Sequence, residues 1–165
     1  MSFQTAVNIF LPVAVAGDFA STNPRANVLA SSTGAGLVAG SSGVTVGAFA
    51  WVDSDGLTVS NTGSNAPHGF VHRDQNTTIT VFLAEASQVI KAGFNMALCD
   101  AGDFWVNNGN SSAASVIGQK AFANNTTGLV QFAAANASVA GCTETKWYAK
   151  TAAAAGSLVK ISSWS

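Results

Sequence analysis

The sequence predicts an all-β domain, a β-sandwich of jelly-roll-like or barrel-like antiparallel type, preceded by an extended N-terminal arm. Three observations predict it. Glycines and turn-forming residues recur every several positions, and the runs between them are short and rich in Val, Ile, Phe, Thr and Trp. No segment sustains a 3.6-residue apolar period with helix caps, and the Ala-rich tracts at 133–140 and 152–155 are short. At 165 residues the chain suits one domain, large enough to build a core without staples.

Residues 1–30 read as the arm. Pro12, Gly17 and Pro24 interrupt the apolar stretches 9–11 and 13–16. A chain written this way stays extended and needs something to lie against, either its own sandwich as an edge or a neighbouring subunit. Residues 31–165 read as the single β domain. Its expected strands are 44–52, 57–60, 69–72, 78–83, 95–99, 104–107, 120–123, 129–132, 145–150 and 158–162. The turn Asp53-Ser54-Asp55-Gly56 makes 44–60 the clearest hairpin. Phe49 and Trp51 alternate along one strand, whereas Phe104-Trp105 and Trp147-Tyr148 each send one ring to either face. One ring of each neighbouring pair fills the core. The other is covered within the domain or anchors a subunit interface.

Only 9% of the residues are charged, against roughly a quarter in ordinary domains. Ala, Ser, Thr, Asn and Gly therefore cover surface that Lys and Glu would normally cover, which suits packing against other protein and suits acid–base chemistry poorly. Seven Lys plus Arg against eight Asp plus Glu leave a net charge of −1. That removes the basic footprint of nucleic-acid or anionic-membrane binding, so neither partner is expected. The apolar stretch 6–16 is broken by Asn8 and Pro12 and has no Lys or Arg before it, so it reads as neither a secretory signal nor a membrane span. Cys99 and Cys142 read as buried free thiols. A bridge between them would need Cα atoms within about 7 Å.

Motifs that could carry chemistry reduce to local structure. Residues 34–39 (GAGLVA) match a dinucleotide-binding glycine pattern, but a β run follows where that motif needs a helix N-terminus. His68 and His72 have i, i+4 spacing on an extended segment, where they stand about 13 Å apart and cannot share one metal ion. Asp53 with Asp55, and Asp100 with Asp103, lie at glycine-bearing turns where Asp caps the backbone. No nucleophile elbow accompanies any Ser, and no flanking signature accompanies either Cys. Neither catalytic residues, nor a metal, nor a cofactor is expected.

Several stretches, in order along nearly the whole chain, resemble the tailed-bacteriophage capsid cement, or head decoration, protein family. They run from AGDFASTNPRA (16–26) through GVTVGAFAW (43–51) to PHGFVHR (67–73), GDFWV (102–106), GQKAFA (118–123) and the closing AGSLVKISSW (155–164). Ala48 stands where the family carries a basic residue, and 133–143 is richer in alanine. Those differences bear on local contacts rather than on class. The resemblance implies a non-enzymatic subunit on the outer surface of the virion, made in the bacterial host cytoplasm. Its implied partners are the major capsid protein and further copies of itself, a trimer in preference to a dimer. The residues expected at the interface are Phe3, Phe10, Phe19 and Arg25 of the arm, together with Trp105. Two other readings compete: a carbohydrate-binding or adhesive β-sandwich of a phage tail or fibre, and an enzyme using His68 or His72.

Overall fold

The computed structural model describes residues 13–31, 36–82 and 88–164. Fourteen strands and no helix are found among them. In chain order the strands are β1 (Ala26–Asn27), β2 (Val38–Ala39), β3 (Val44–Thr45), β4 (Phe49–Val52), β5 (Thr58–Ser60), β6 (Gly69–Phe70) and β7 (Thr77–Ile79). They continue with β8 (Gln88–Ile90), β9 (Cys99–Ala101), β10 (Asp103–Asn107), β11 (Lys120–Asn124), β12 (Val130–Ala133), β13 (Cys142–Ala149) and β14 (Leu158–Ser162).

The strands make a β-sandwich of a six-stranded sheet, β1-β9-β6-β4-β5-β2, and a five-stranded sheet, β10-β14-β13-β11-β12. A three-stranded sheet, β3-β8-β7, lies beside them, and none of the three closes into a barrel. One core joins the two large sheets. Phe49 and Phe70 from the first meet Phe104 and Trp147 from the second, with ring centroids 4.8–6.1 Å apart. A second core lies on the other face of the six-stranded sheet, where Ala50 and Val59 pack with Val44 and Ile90 of the small sheet. β4 is thus buried on both faces, which is why the run through it is apolar without alternation.

The 44–60 hairpin is present in its second half. Trp51 pairs with Ser60 and Val52 with Val59, and the Gly56 N–H closes the turn on the Asp53 carbonyl at 3.0 Å. Its first half divides: 44–52 reads as one strand, but β3 joins the small sheet and β4 the large one. The reason is Gly47, at φ +74°, whose missing Cβ lets the Ala16 Cβ approach to 2.8 Å from where it would stand. The Asn61 side chain holds the break, accepting from Thr45 N at 2.6 Å and donating to the Phe49 carbonyl at 3.0 Å.

The strand expected at 95–99 lies further on, at β9. Residues 95–98 instead serve other edges: Asn95 bridges Val38, Met96 N donates to the Leu37 carbonyl, and the Leu98 carbonyl accepts from Val28 N. β1, β2 and β8 are too short for a periodic pattern to reveal. The antiparallel expectation holds for the pairings except β2 with β5, which is parallel.

Candidate functional site

Interfaces are built from what a domain leaves uncovered, so the segment before β1 and the outer face of the five-stranded sheet are the places to look. Residues 17–20 run antiparallel along β10. Gly17 N donates to the Trp105 carbonyl at 2.7 Å, Trp105 N to the Asp18 carbonyl at 2.9 Å, and Ala20 N to the Asp103 carbonyl at 2.9 Å. Asp18 adds an ion pair to Arg73 Nε at 2.9 Å and accepts from Val15 N. The segment therefore covers the β10 edge of its own sheet.

This register brings two expected interface residues together and separates a third. Phe19 bridges Phe104, lies 5.3 Å from it and stacks on His72 at 5.0 Å, and the Arg25 guanidinium sits 3.8 Å above its ring. Phe19 remains 38% exposed, so a compact cation–aromatic group shows at the rim of the sandwich. Trp105 faces the opposite side of the sheet, beneath Lys160 Nζ at 4.9 Å. Phe3 and Phe10 lie outside the described residues.

On the outer face the pairings set two rows. Asp103, Ser162, Tyr148 and Lys120 stand side by side, and Trp105 with Lys160 forms the next row. Lys150 joins that row, since its N–H donates to the Lys160 carbonyl at 2.8 Å. Lys120 Nζ lies 3.9 Å over the Tyr148 ring and donates to the Thr145 carbonyl. Next to these rows is a cleft of about 400 Å³, bordered by Ser21, Asn23, Asp103, Lys150, Lys160 and Trp164. Burial pushes the Asp103 carboxyl up, but the neighbouring Ser162 hydroxyl, hydrogen bonds from Ser21 and Asn23 and the charge of Lys150 outweigh it, so the group is held below the usual carboxylate value. Sequence reasoning missed Lys150, Lys160 and Trp164. Two neighbouring strands pairing in one register is the signal that reveals them, and single-strand alternation cannot supply it.

The residues weighed for catalysis serve the fold. His68 Nδ1 accepts from Val52 N at 3.0 Å, and His72 Nδ1 lies 2.9 Å from the Arg73 carbonyl, so each imidazole has its own local partner. Asp55 accepts from Leu57 N, Thr58 N and the Thr58 hydroxyl, which holds its carboxyl below the usual value, the Thr58 side chain foremost. Asp100 is taken by Lys146 at 2.5 Å. Among the described residues no three His, Cys, Asp or Glu gather in a metal-binding group. After Gly36 the glycine pattern runs into β2, so no helix N-terminus follows it. Both cysteines are free thiols.

The family model described as XM1 gp53 minor capsid protein matches residues 3–163. The chain belongs to that family. The resemblance to phage capsid-associated proteins is thereby borne out, and this minor capsid protein is a structural component of a phage virion. A chain of the structure titled "The capsid of Myoviridae Phage XM1" is similar to it with a TM-score of 0.64, over 99% of this chain and 98% of that one. The two are 16% identical, so this likeness speaks for the fold. No curated protein sequence matches the chain.

Proposed function

We propose that this minor capsid protein is a cement subunit, a homo-oligomer that binds the outside of the major capsid lattice and stabilises the head without catalysing a reaction. The observation that carries the reading is the match to a minor capsid protein family along residues 3–163. The surface is suited to it. With 9% of residues charged, a broad contact strips water from few ions, so desolvation costs stay low. An oligomer touching several lattice units at once turns each later contact into an intramolecular one, and modest individual interfaces then suffice. A trimer fits that arrangement.

In this reading residues 1–30 act as the arm and 31–165 as the body, with Phe3, Phe10, Phe19 and Arg25 meeting the lattice. The test is cosedimentation of the purified protein with heads that lack it. Saturation at a fixed copy number together with greater resistance of the heads to heat supports the cement role. A folded protein that leaves bare heads unbound refutes it and favours the glycan-binding module. Removing residues 1–12 tests the part of the arm that carries Phe3 and Phe10. Undiminished binding would remove Phe3 and Phe10 from the interface.

A further inference from the structure

Four of the five lysines, 120, 146, 150 and 160, lie on or directly after strands of the five-stranded sheet. Two of the four are held by a carboxylate or a carbonyl. Lys146 pairs with Asp100, and Lys120 is spent on Tyr148 and the Thr145 carbonyl. Lys160 stands over the Trp105 ring at 4.9 Å and the charge of Lys150 acts on Asp103, yet the two lysines face one another across adjoining strands, joined by a backbone hydrogen bond of 2.8 Å. Neither makes an ion pair with a described residue. Like charges set directly opposite one another destabilise a sheet. In a chain with so few cations, that arrangement stands out against the sparing use of charge elsewhere.

The surroundings indicate what would relieve it. Both lysines border the cleft of about 400 Å³, and its other wall carries Trp164, 45% exposed. Ser21 and Asn23 donate to Asp103 Oδ2, each at 2.6 Å, which uses the hydroxyl hydrogen and one of the two amide hydrogens within the domain. The groups left for a ligand are two ammoniums, one amide hydrogen of Asn23 and the largely apolar indole of Trp164. That combination suits a carboxylate carried on a protein segment, with the charge between the lysines and the stem against the indole. Asp103, ionised at the border, repels any anion and a densely charged phosphate backbone most, so a single carboxylate set towards the lysines is the better fit.

We infer that the cleft between Lys150, Lys160 and Trp164 is a docking site for an acidic, extended segment of a protein partner. The inference rests on the cement reading, in which that partner is the capsid shell, and it names the face of the subunit that meets it.

Two experiments separate the claims. In the first, heads lacking the protein are titrated with wild type, with the double variant Lys150→Ala, Lys160→Ala, and with Lys91→Ala as a control, across a range of salt. The expected result is that the double variant binds roughly tenfold or more weakly and loses salt sensitivity, while Lys91→Ala behaves as wild type. A double variant with unchanged thermal midpoint that binds as wild type does overturns the inference and leaves the cement role standing. If wild type itself leaves heads unbound, the cement reading falls, and the second experiment decides the cleft alone. Hexaglutamate is titrated into the isolated protein while the indole N–H resonances of Trp105 and Trp164 are followed. Saturable shifts absent from the double variant, and absent with hexalysine, support the site. Unmoved indoles, or equal shifts with a short single-stranded oligonucleotide, overturn it.

Discussion

Asn23 and Asp103, 80 residues apart in sequence, are joined by a hydrogen bond of 2.6 Å from the side-chain amide to carboxylate Oδ2. The Ser21 hydroxyl donates to the same oxygen at 2.6 Å, so one ionised carboxylate clasps the N-terminal segment to the start of β10. Because the folded state holds this carboxyl below its ordinary value of about 3.9, it contributes stability above that pH. The contribution is lost as pH falls through the lower, folded value. The stability advantage of wild type over Asp103→Asn should therefore be constant from neutral pH to about pH 5 and shrink below about pH 4. Paired thermal melts across that range check it, and an advantage that grows on acidification would contradict the assignment.

Truncation tests what residues 17–25 contribute to the fold. Removing residues 1–25 deletes three backbone hydrogen bonds to β10, the Phe19 contact and the Asp18–Arg73 pair. At about 1 kcal/mol per backbone bond the loss is on the order of 3 kcal/mol before the ring is counted. The Asp18–Arg73 pair adds little, being substantially solvent-exposed. Denaturant unfolding should show the 1–25 deletion clearly destabilised.

Among the described glycines, Gly128 is the least tolerant of a methyl group. It has φ +70°, and an added Cβ would stand 2.1 Å from the Phe49 carbonyl oxygen, which belongs to the strand joining the two cores. Gly128→Ala combines backbone strain with a clash against main chain, for an expected cost of about 2–4 kcal/mol. At Gly118, which has open space around it, only the strain applies, and the loss should be about 1 kcal/mol. Midpoints of chemical denaturation for the two variants test the ranking.

The cysteines should differ in reactivity. Burial pushes the Cys99 thiol up to about 12, and its Sγ donates to Asn27 Oδ1 inside the β1–β9 edge. Cys142 is raised by burial too, but it remains half-exposed. A disulfide-exchange reagent at pH 8 should label Cys142 slowly and Cys99 only after unfolding. A reductant should leave the thermal midpoint unchanged. Rapid labelling of two thiols in the native protein would contradict this.

The sequence by itself determined the class of structure and much of its detail. Strands β10 and β12 are legible in the runs around Phe104 and Phe132 because each has one buried face and so alternates, β14 alternates up to Ile161, and β11 is legible as the short apolar run around Phe122, buried from Ala121 to Ala123. The Asp53–Gly56 turn is legible for a local reason, as its hydrogen bonds close within a few residues. The ordered matches from AGDFASTNPRA to AGSLVKISSW made the capsid family readable without any single chemical motif. Only the tertiary structure decided that the run through Val44 breaks at Gly47, since Ala16 presses there from a distant part of the chain. It alone decided that Phe19 and Trp105 face opposite sides, and that Lys150 and Lys160 face each other. Those relationships depend on which strands pair and in what register. Long-range hydrogen bonding sets register, and a single residue of slip would carry every side chain to the other face.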